Sequence, residues 1–273
     1  MVSTNDHIKK LEGCDKKLLR KLFNVPITCS YEAFYLETGC LSIEYILKGR
    51  RLMYYWTLLN KSDNELAKQV FNIQNKFSVK DDWVNQIKLD LNELEIQFTE
   101  EKIKGMKYEE FKKIVRKKLD EKFFDYLISL KTSHTKTENL TSYSLQEYLK
   151  SENLTFKQKQ LLFSLRTRSI NVKRNYKNKY RQSNLFCILC DNRLVESEVH
   201  LLECKSTQEQ LGDIGDAQYE DIFSSEISRQ ENITKIFEKV IRLRYELTMK
   251  GDSAKSHSFV LSSGPSSTKF STC

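Results

Sequence analysis

Apolar positions recur at helical spacing along almost the whole chain, and most such stretches are bounded by recognisable caps. Leu11 to Phe23 predicts a first helix, stopped ahead of Pro26 because a residue preceding proline is pushed out of the α region. Tyr31 to Thr38 predicts a short second helix, with Gly39 where a left-handed C-cap falls. Ile43 to Leu59 follows, and its second half is apolar on most sides, which predicts burial. Ser62 and Glu65 form a capping-box pattern ahead of a stripe of Leu66, Val70, Ile73 and Phe77. Trp83, Val84, Ile87 and Leu91 continue in the same style.

The strongest pattern runs from about Glu109 to Lys131, where Phe111, Val115, Leu119, Phe123 and Leu127 recur at every fourth position. Ile114, Tyr126 and Leu130 widen that stripe. Lys112, Lys113, Arg116 and Lys117 lie opposite, interleaved with Glu109, Glu110, Asp120 and Glu121, as on a solvated face of mixed sign. Residues 132–142 read as a loop. Ser144 with Glu147 caps a short helix through Leu149, and Thr155 with Gln158 caps another reaching about Arg168. Ser228 and Glu231 open a last helix striped by Ile233, Ile236, Phe237, Val240, Ile241 and Leu247, closed by Gly251. From Asp252 onward the chain reads as a disordered tail.

With 8 Gly and 2 Pro in 273 residues, the chain lacks the punctuation of a many-stranded β fold. The fold class expected is all-α: a multi-helix array with an aromatic-rich core, a small insertion around the clustered cysteines and a disordered C-terminal tail. An odd total of 7 cysteines argues against a disulfide framework. No long apolar run and no secretory leader are present, so neither membrane spanning nor export is expected; the nucleus and cytoplasm are the expected compartments.

Three of the cysteines fall in one window with the spacing Cys187-x2-Cys190-x9-His200-x3-Cys204. Two cysteines separated by two residues sit on one tight turn. His200 and Cys204, four apart, project from one face of a helical turn. Four thiolate and imidazole ligands can close the tetrahedron that a structural zinc prefers. A redox Cys-x-x-Cys normally opens a helix after a strand, a context missing here. Four protein ligands leave no open position for an activated water, so the expected cofactor is a structural Zn2+.

Between Glu152 and Asp191 no acidic residue occurs, while Lys157, Lys159, Arg166, Arg168, Lys173, Arg174, Lys177, Lys179 and Arg181 do, with Tyr176 and Tyr180 interleaved. Unneutralised cations form a track for phosphates, and tyrosines among them can stack on bases. The expected nucleic-acid contacts are Arg166, Arg168, Lys173, Arg174, Tyr176, Lys177, Lys179, Tyr180 and Arg181. Asp81-Asp82 could pass for a metal-binding carboxylate pair, but its position before Trp83 fits a helix start, where acids complement the dipole. No nucleophile–base pair can be assembled around only 4 histidines, so no catalytic residue is expected.

Several stretches together are similar to a known family: "LEGCDKKLLRKLFNVPITCSYEAFYLETGCLSIEYILKGRRLMYYWTLLN", "KDDWVNQIKLDL", "FKKIVRKKL", "LLFSLRTRSINVKRNY" and "CILCDNRLVESEVHLLEC". In this order they resemble the region following the polymerase domain in non-LTR (LINE-like) retrotransposon reverse transcriptases, from about Leu11 to Leu247. The resemblance implies a helical thumb-adjacent segment and a CCHC knuckle that help hold template RNA and target DNA, with other parts of a retroelement ribonucleoprotein as partners. The family's aromatic-x-Asp-Asp polymerase hairpin has no counterpart here, so the chain looks like a C-terminal remnant. The organisation expected is a helical domain over 1–182 ending in the basic segment, the knuckle at 183–206, a loop and C-terminal helix at 207–251, and the tail at 252–273. The competing reading is a free-standing zinc-finger helical adaptor for protein–protein contact.

Overall fold

The computed structural model describes residues 5–77, 82–131, 137–176, 185–190, 193–212 and 217–260. Among them the regular structure is helical, with two isolated β-bridges. The chain divides into two compact units, Met1–Lys150 and Ser151–Cys273. That boundary differs from the break expected near residue 182: the helix opening at Thr155 packs with the C-terminal helix.

The first unit holds α1 (Asn5–Phe23), α2 (Tyr31–Thr38), α3 (Ile43–Leu59), α4 (Leu66–Lys76), α5 (Trp83–Glu93), α6 (Glu100–Gly105), α7 (Tyr108–Lys131) and α8 (Glu147–Lys150). Helix α3 is its centre, touching α1, α4, α5, α6 and α7. The four-residue stripe of α7 is wholly inside: Phe111, Val115, Leu119, Phe123 and Leu127 are all buried. The opposite face carries the mixed-sign pairs read from the sequence, with Lys112–Glu109 at 3.3 Å and Arg116–Asp120 at 2.9 Å.

Local caps set several boundaries. Ser30 Oγ accepts from the Ala33 N–H, and Gly39 takes φ 63° while its N–H donates to the Tyr35 carbonyl. A Cβ at Gly39 would approach the Leu145 nitrogen at 2.8 Å, since residues 144–146 run against the end of α2. Asp82 accepts from the Asn85 N–H at 2.7 Å as the N-cap of α5, the capping role expected of it. Asp81 lies outside the described residues.

Helix α4 turns the opposite way from its most visible stripe. Leu66, Val70, Ile73 and Phe77 are exposed, whereas Phe71 is buried against Tyr55 and Trp83. Between α3 and α5 lies a charged contact whose carboxylate is fully buried and whose guanidinium is half-buried. Arg51 donates to both carboxylate oxygens of the fully buried Asp90, at 2.7 and 3.1 Å, and Gln86 adds a third donor at 3.1 Å.

The second unit holds α9 (Phe156–Arg166), a 3-10 turn at Lys173–Tyr176, α10 (Glu198–Glu203), α11 (Lys205–Leu211), a 3-10 turn at Tyr219–Phe223, and α12 (Ile227–Val260). Thr155 and Gln158 form the full capping box of α9. Leu162, Phe163, Ile222, Ile233, Phe237 and Val240 make the core. Helix α12 runs past Gly251 to Val260, so the first residues of the expected tail are helical. A glycine inside a helix costs about 1 kcal/mol but keeps both backbone hydrogen-bonding groups, so it need not end one. Residues 261–273 lie outside the described residues.

The Arg51–Asp90 contact gives a test of the first unit. Replacing Asp90 by Ala leaves the half-buried Arg51 guanidinium without its partner and is expected to lower unfolding stability by about 1–3 kcal/mol. Chemical denaturation would read this, and a drop under about 1 kcal/mol would show that α3 and α5 do not depend on the pair.

Candidate metal centre

The four predicted ligands converge. One ligand atom from each of Cys187, Cys190, His200 and Cys204 lies within 4.8 Å of every other, close enough to hold a single metal ion. The Cys190 sulfur is 3.5 Å from His200 Nε2.

Local backbone chemistry builds this arrangement. An antiparallel bridge pairs Phe186 with Val195, and the Cys187 N–H donates to the Leu194 carbonyl at 2.8 Å, so both cysteines enter from one side of a narrow hairpin. Arg193 takes φ 51°, which turns the returning strand. The Leu189 N–H points at the Cys187 sulfur at 3.3 Å. Ser197 caps α10 by accepting from the His200 N–H, fixing where that helix begins and hence the direction of the imidazole. Cys204 ends α10 and caps α11, so it sits at the hinge between two short helices.

The thiols differ electrostatically. Burial pushes Cys187 up to about 12, reinforced by the neighbouring Cys204 and Cys190. Burial also raises Cys204, but the Thr207 and Ser206 backbone N–H groups, with Cys190, outweigh it and hold that thiol below the ordinary range. A metal ion entering this set must displace protons from sulfur.

The basic segment is distributed differently from the uniform track expected. Arg166 is a core residue: its guanidinium donates to the Ile222 carbonyl at 2.7 Å and lies over the Phe223 ring, so its assignment as a nucleic-acid contact is corrected. A cation at the end of an amphipathic helix is as able to satisfy a buried carbonyl as to face water. Arg168 is half-buried beside Tyr219 with φ 48°. Lys173 donates from Nζ to the Phe186 carbonyl at 2.6 Å, joining the basic turn to the hairpin. Arg174 is exposed, and its backbone N–H donates to the Glu196 carbonyl at 3.0 Å. Tyr176 closes the 3-10 turn. Lys177, Lys179, Tyr180 and Arg181, like Asp191 and Asn192, lie outside the described residues.

The residue that sequence reasoning missed is Glu196. It is fully buried, and its Oε1 accepts from Arg244 Nε and Nη2 at 3.1 and 2.8 Å and from the Lys173 N–H at 3.2 Å. Hairpin, basic turn and α12 therefore meet on one carboxylate. Glu198 acts alongside it, accepting from Asn175 at 2.5 Å. Ser197 followed by Glu198 does signal a helix start, but nothing local marks a partner 48 residues away.

No protein-family model, no curated protein and no solved structure matches the chain. Among the described residues, no helix is long and apolar enough to cross a membrane.

The ligand set predicts a pH-dependent metal affinity. Because the buried thiols must release protons to bind, affinity should fall steadily from about pH 8 to about pH 6, as read by competition with a chromophoric chelator; a pH-independent affinity would contradict thiolate ligands. The Glu196 network predicts coupled stability effects. Glu196→Ala should lower stability of the metal-loaded protein by about 3–5 kcal/mol and Arg244→Ala should do the same, without adding in the double variant. Additive effects would mean that the two residues act separately.

Proposed function

We propose that the chain is a zinc-stapled nucleic-acid-binding module, of the kind that follows the polymerase domain in non-LTR retrotransposon reverse transcriptases. The observation that carries this reading is the attachment of the cationic Lys173–Tyr176 turn directly to the ligand hairpin, through Lys173 to Phe186 and Arg174 to Glu196. A metal site alone would serve any fold; a metal site that fixes the position of cations suits a polyanion.

Zinc is the ion the ligand chemistry favours. Three thiolates and an imidazole are soft to borderline donors, and four protein ligands saturate a tetrahedral ion. A saturated ion has no place for substrate or water, so its contribution is to hold the hairpin, α10 and α11 in register. The module's role is then binding, and RNA and target DNA are the partners that the resemblance suggests.

A second reading, the helical adaptor, has one observation in its favour. Leu66 and Val70 of α4 line a groove of about 1000 Å3 with Ile8, Leu47, Tyr54 and Trp83, and Ile73 and Phe77 extend the apolar face. That groove belongs to the first unit, so it bears on a protein contact there and leaves the basic hairpin's role as proposed.

Salt dependence tests the main reading. Binding to a labelled oligonucleotide should weaken linearly in log–log form as salt is raised. Replacing Arg174, Lys177, Lys179 and Arg181 together by Gln should reduce the slope by about 0.7–0.9 for each phosphate left without its cation. Unchanged affinity and slope in that variant would remove the basic segment from the interface.

A further inference from the structure

The knuckle turns an unusual amount of apolar surface outward. Cys187, Leu189, Leu201, Leu202 and Cys204 point inward and are buried, whereas Phe186 (36%), Ile188 (38%), Leu194 (51%), Val195 (42%) and Val199 (36%) are exposed. Phe186 and Val195 are bridge partners, so their side chains share one face of the hairpin. Successive strand residues alternate sides, which places that face away from the sulfur of Cys187.

Cations are attached to the same hairpin. The Lys173 ammonium is bound to the carbonyl of Phe186 itself, at 2.6 Å. An ammonium carries three donors, so this contact leaves capacity for an anion. Arg174 is exposed next to the Glu196 backbone, one residue beyond Val195, and exposed Arg193 precedes Val195 by two positions. The hairpin that exposes this ring and branched side chain thus carries Lys173 on the Phe186 carbonyl, Arg174 on the Glu196 backbone and Arg193 two residues before Val195.

We propose that Phe186, backed by Val195, is a stacking platform for an unpaired nucleobase, with Lys173, Arg174 and Arg193 on the adjoining phosphates. This rests on the nucleic-acid reading above and narrows its ligand to a single strand. In a duplex the flat faces of the bases are stacked on one another, and an exposed phenyl ring gains nothing from the phosphate-lined exterior. A single strand offers a π face and a phosphate within one nucleotide of each other, which is the spacing a ring flanked by cations can use. An acidic peptide would satisfy the cations but would give the ring no flat partner.

The test uses the metal-loaded full chain with labelled oligo(dT) and oligo(U) of about 12 nucleotides, within the site sizes single-strand binders cover, a duplex of equal length, and an oligo-glutamate peptide. Both single strands should bind more tightly than the duplex or the peptide. Phe186→Ala should weaken single-strand binding by about 5- to 100-fold, the range of one base–aromatic stack, with an unchanged salt slope. Phe186→Leu keeps the apolar volume but lacks a ring, so it should weaken binding nearly as much while still holding one equivalent of metal. Phe186→Trp should restore binding, and its added fluorescence should be quenched on saturation.

Equal single-strand affinity in wild type, Phe186→Ala and Phe186→Leu would overturn the platform while leaving the basic segment's role intact. So would a preference for the duplex. Tighter binding of the peptide, or no oligonucleotide binding in any variant, would overturn the parent reading with it.

Discussion

The buried carboxylate of Glu196 is the contact on which the second unit turns. Withdrawing a carboxylate from water costs several kcal/mol unless donors replace the solvent; here the Arg244 guanidinium and the Lys173 N–H supply them at Oε1, while the buried Oε2 has no hydrogen-bond partner among the described residues. Its backbone is committed as well, donating to the Leu185 carbonyl at 2.9 Å and accepting from the Arg174 N–H. One residue therefore ties the ligand hairpin, the basic turn and the C-terminal helix. Hydrophobic contact alone could not set this alignment, because apolar burial is non-directional while a buried charge has only a few acceptable donor positions.

The metal ligands and Glu196 constrain different things. A metal ion held by the four residues would fix the hairpin against α10 and α11 but would say nothing about where the hairpin sits. Glu196 places it against α12 and the turn at Lys173–Tyr176, while Arg166 holds the end of α9 to the turn at Tyr219–Phe223. A hairpin this short cannot bury enough apolar surface to stand by itself, and several of its apolar side chains face solvent. With a metal ion on the four residues, its order would come from a coordination shell on one side and a charged network on the other. The hairpin lies within the compact unit that begins at Ser151.

What is legible in the sequence is local. The spans of α2 and α3 follow from Ser30, Gly39 and the apolar run ending at Leu59, and the inner face of α7 follows from its four-residue stripe. The metal ligands follow from spacing, since a tight turn and a helical turn each bring two donors together without help from the rest of the chain. The features that the sequence hides depend on distant partners. Helix α4 has two plausible faces, and the rings of Tyr55 and Trp83 select the one bearing Phe71. Arg166 reads as one more member of the basic run because its partner, the Ile222 carbonyl, is 56 residues away. The unit boundary at 150 is hidden for the same reason: composition does not change there, and only the packing of α9 with α12 reveals it.

These long-range partners also change how the charge of the chain should be weighed. A formal net charge of +8 invites a count of cations, yet the cations are not equivalent. On α7 they are matched by acids one turn away, and at Arg51, Arg166 and Arg244 they are structural donors inside the protein. Lys173 is partly committed, through the Phe186 carbonyl, while Arg174 and Arg193 remain in water. The electrostatic attraction a polyanion meets is therefore set less by the total than by the few cations that the hairpin and Glu196 hold at the surface. Because Lys173 is bound to the backbone of the exposed Phe186 and Arg193 lies on the same hairpin, position rather than quantity of charge decides what kind of polyanion the surface suits.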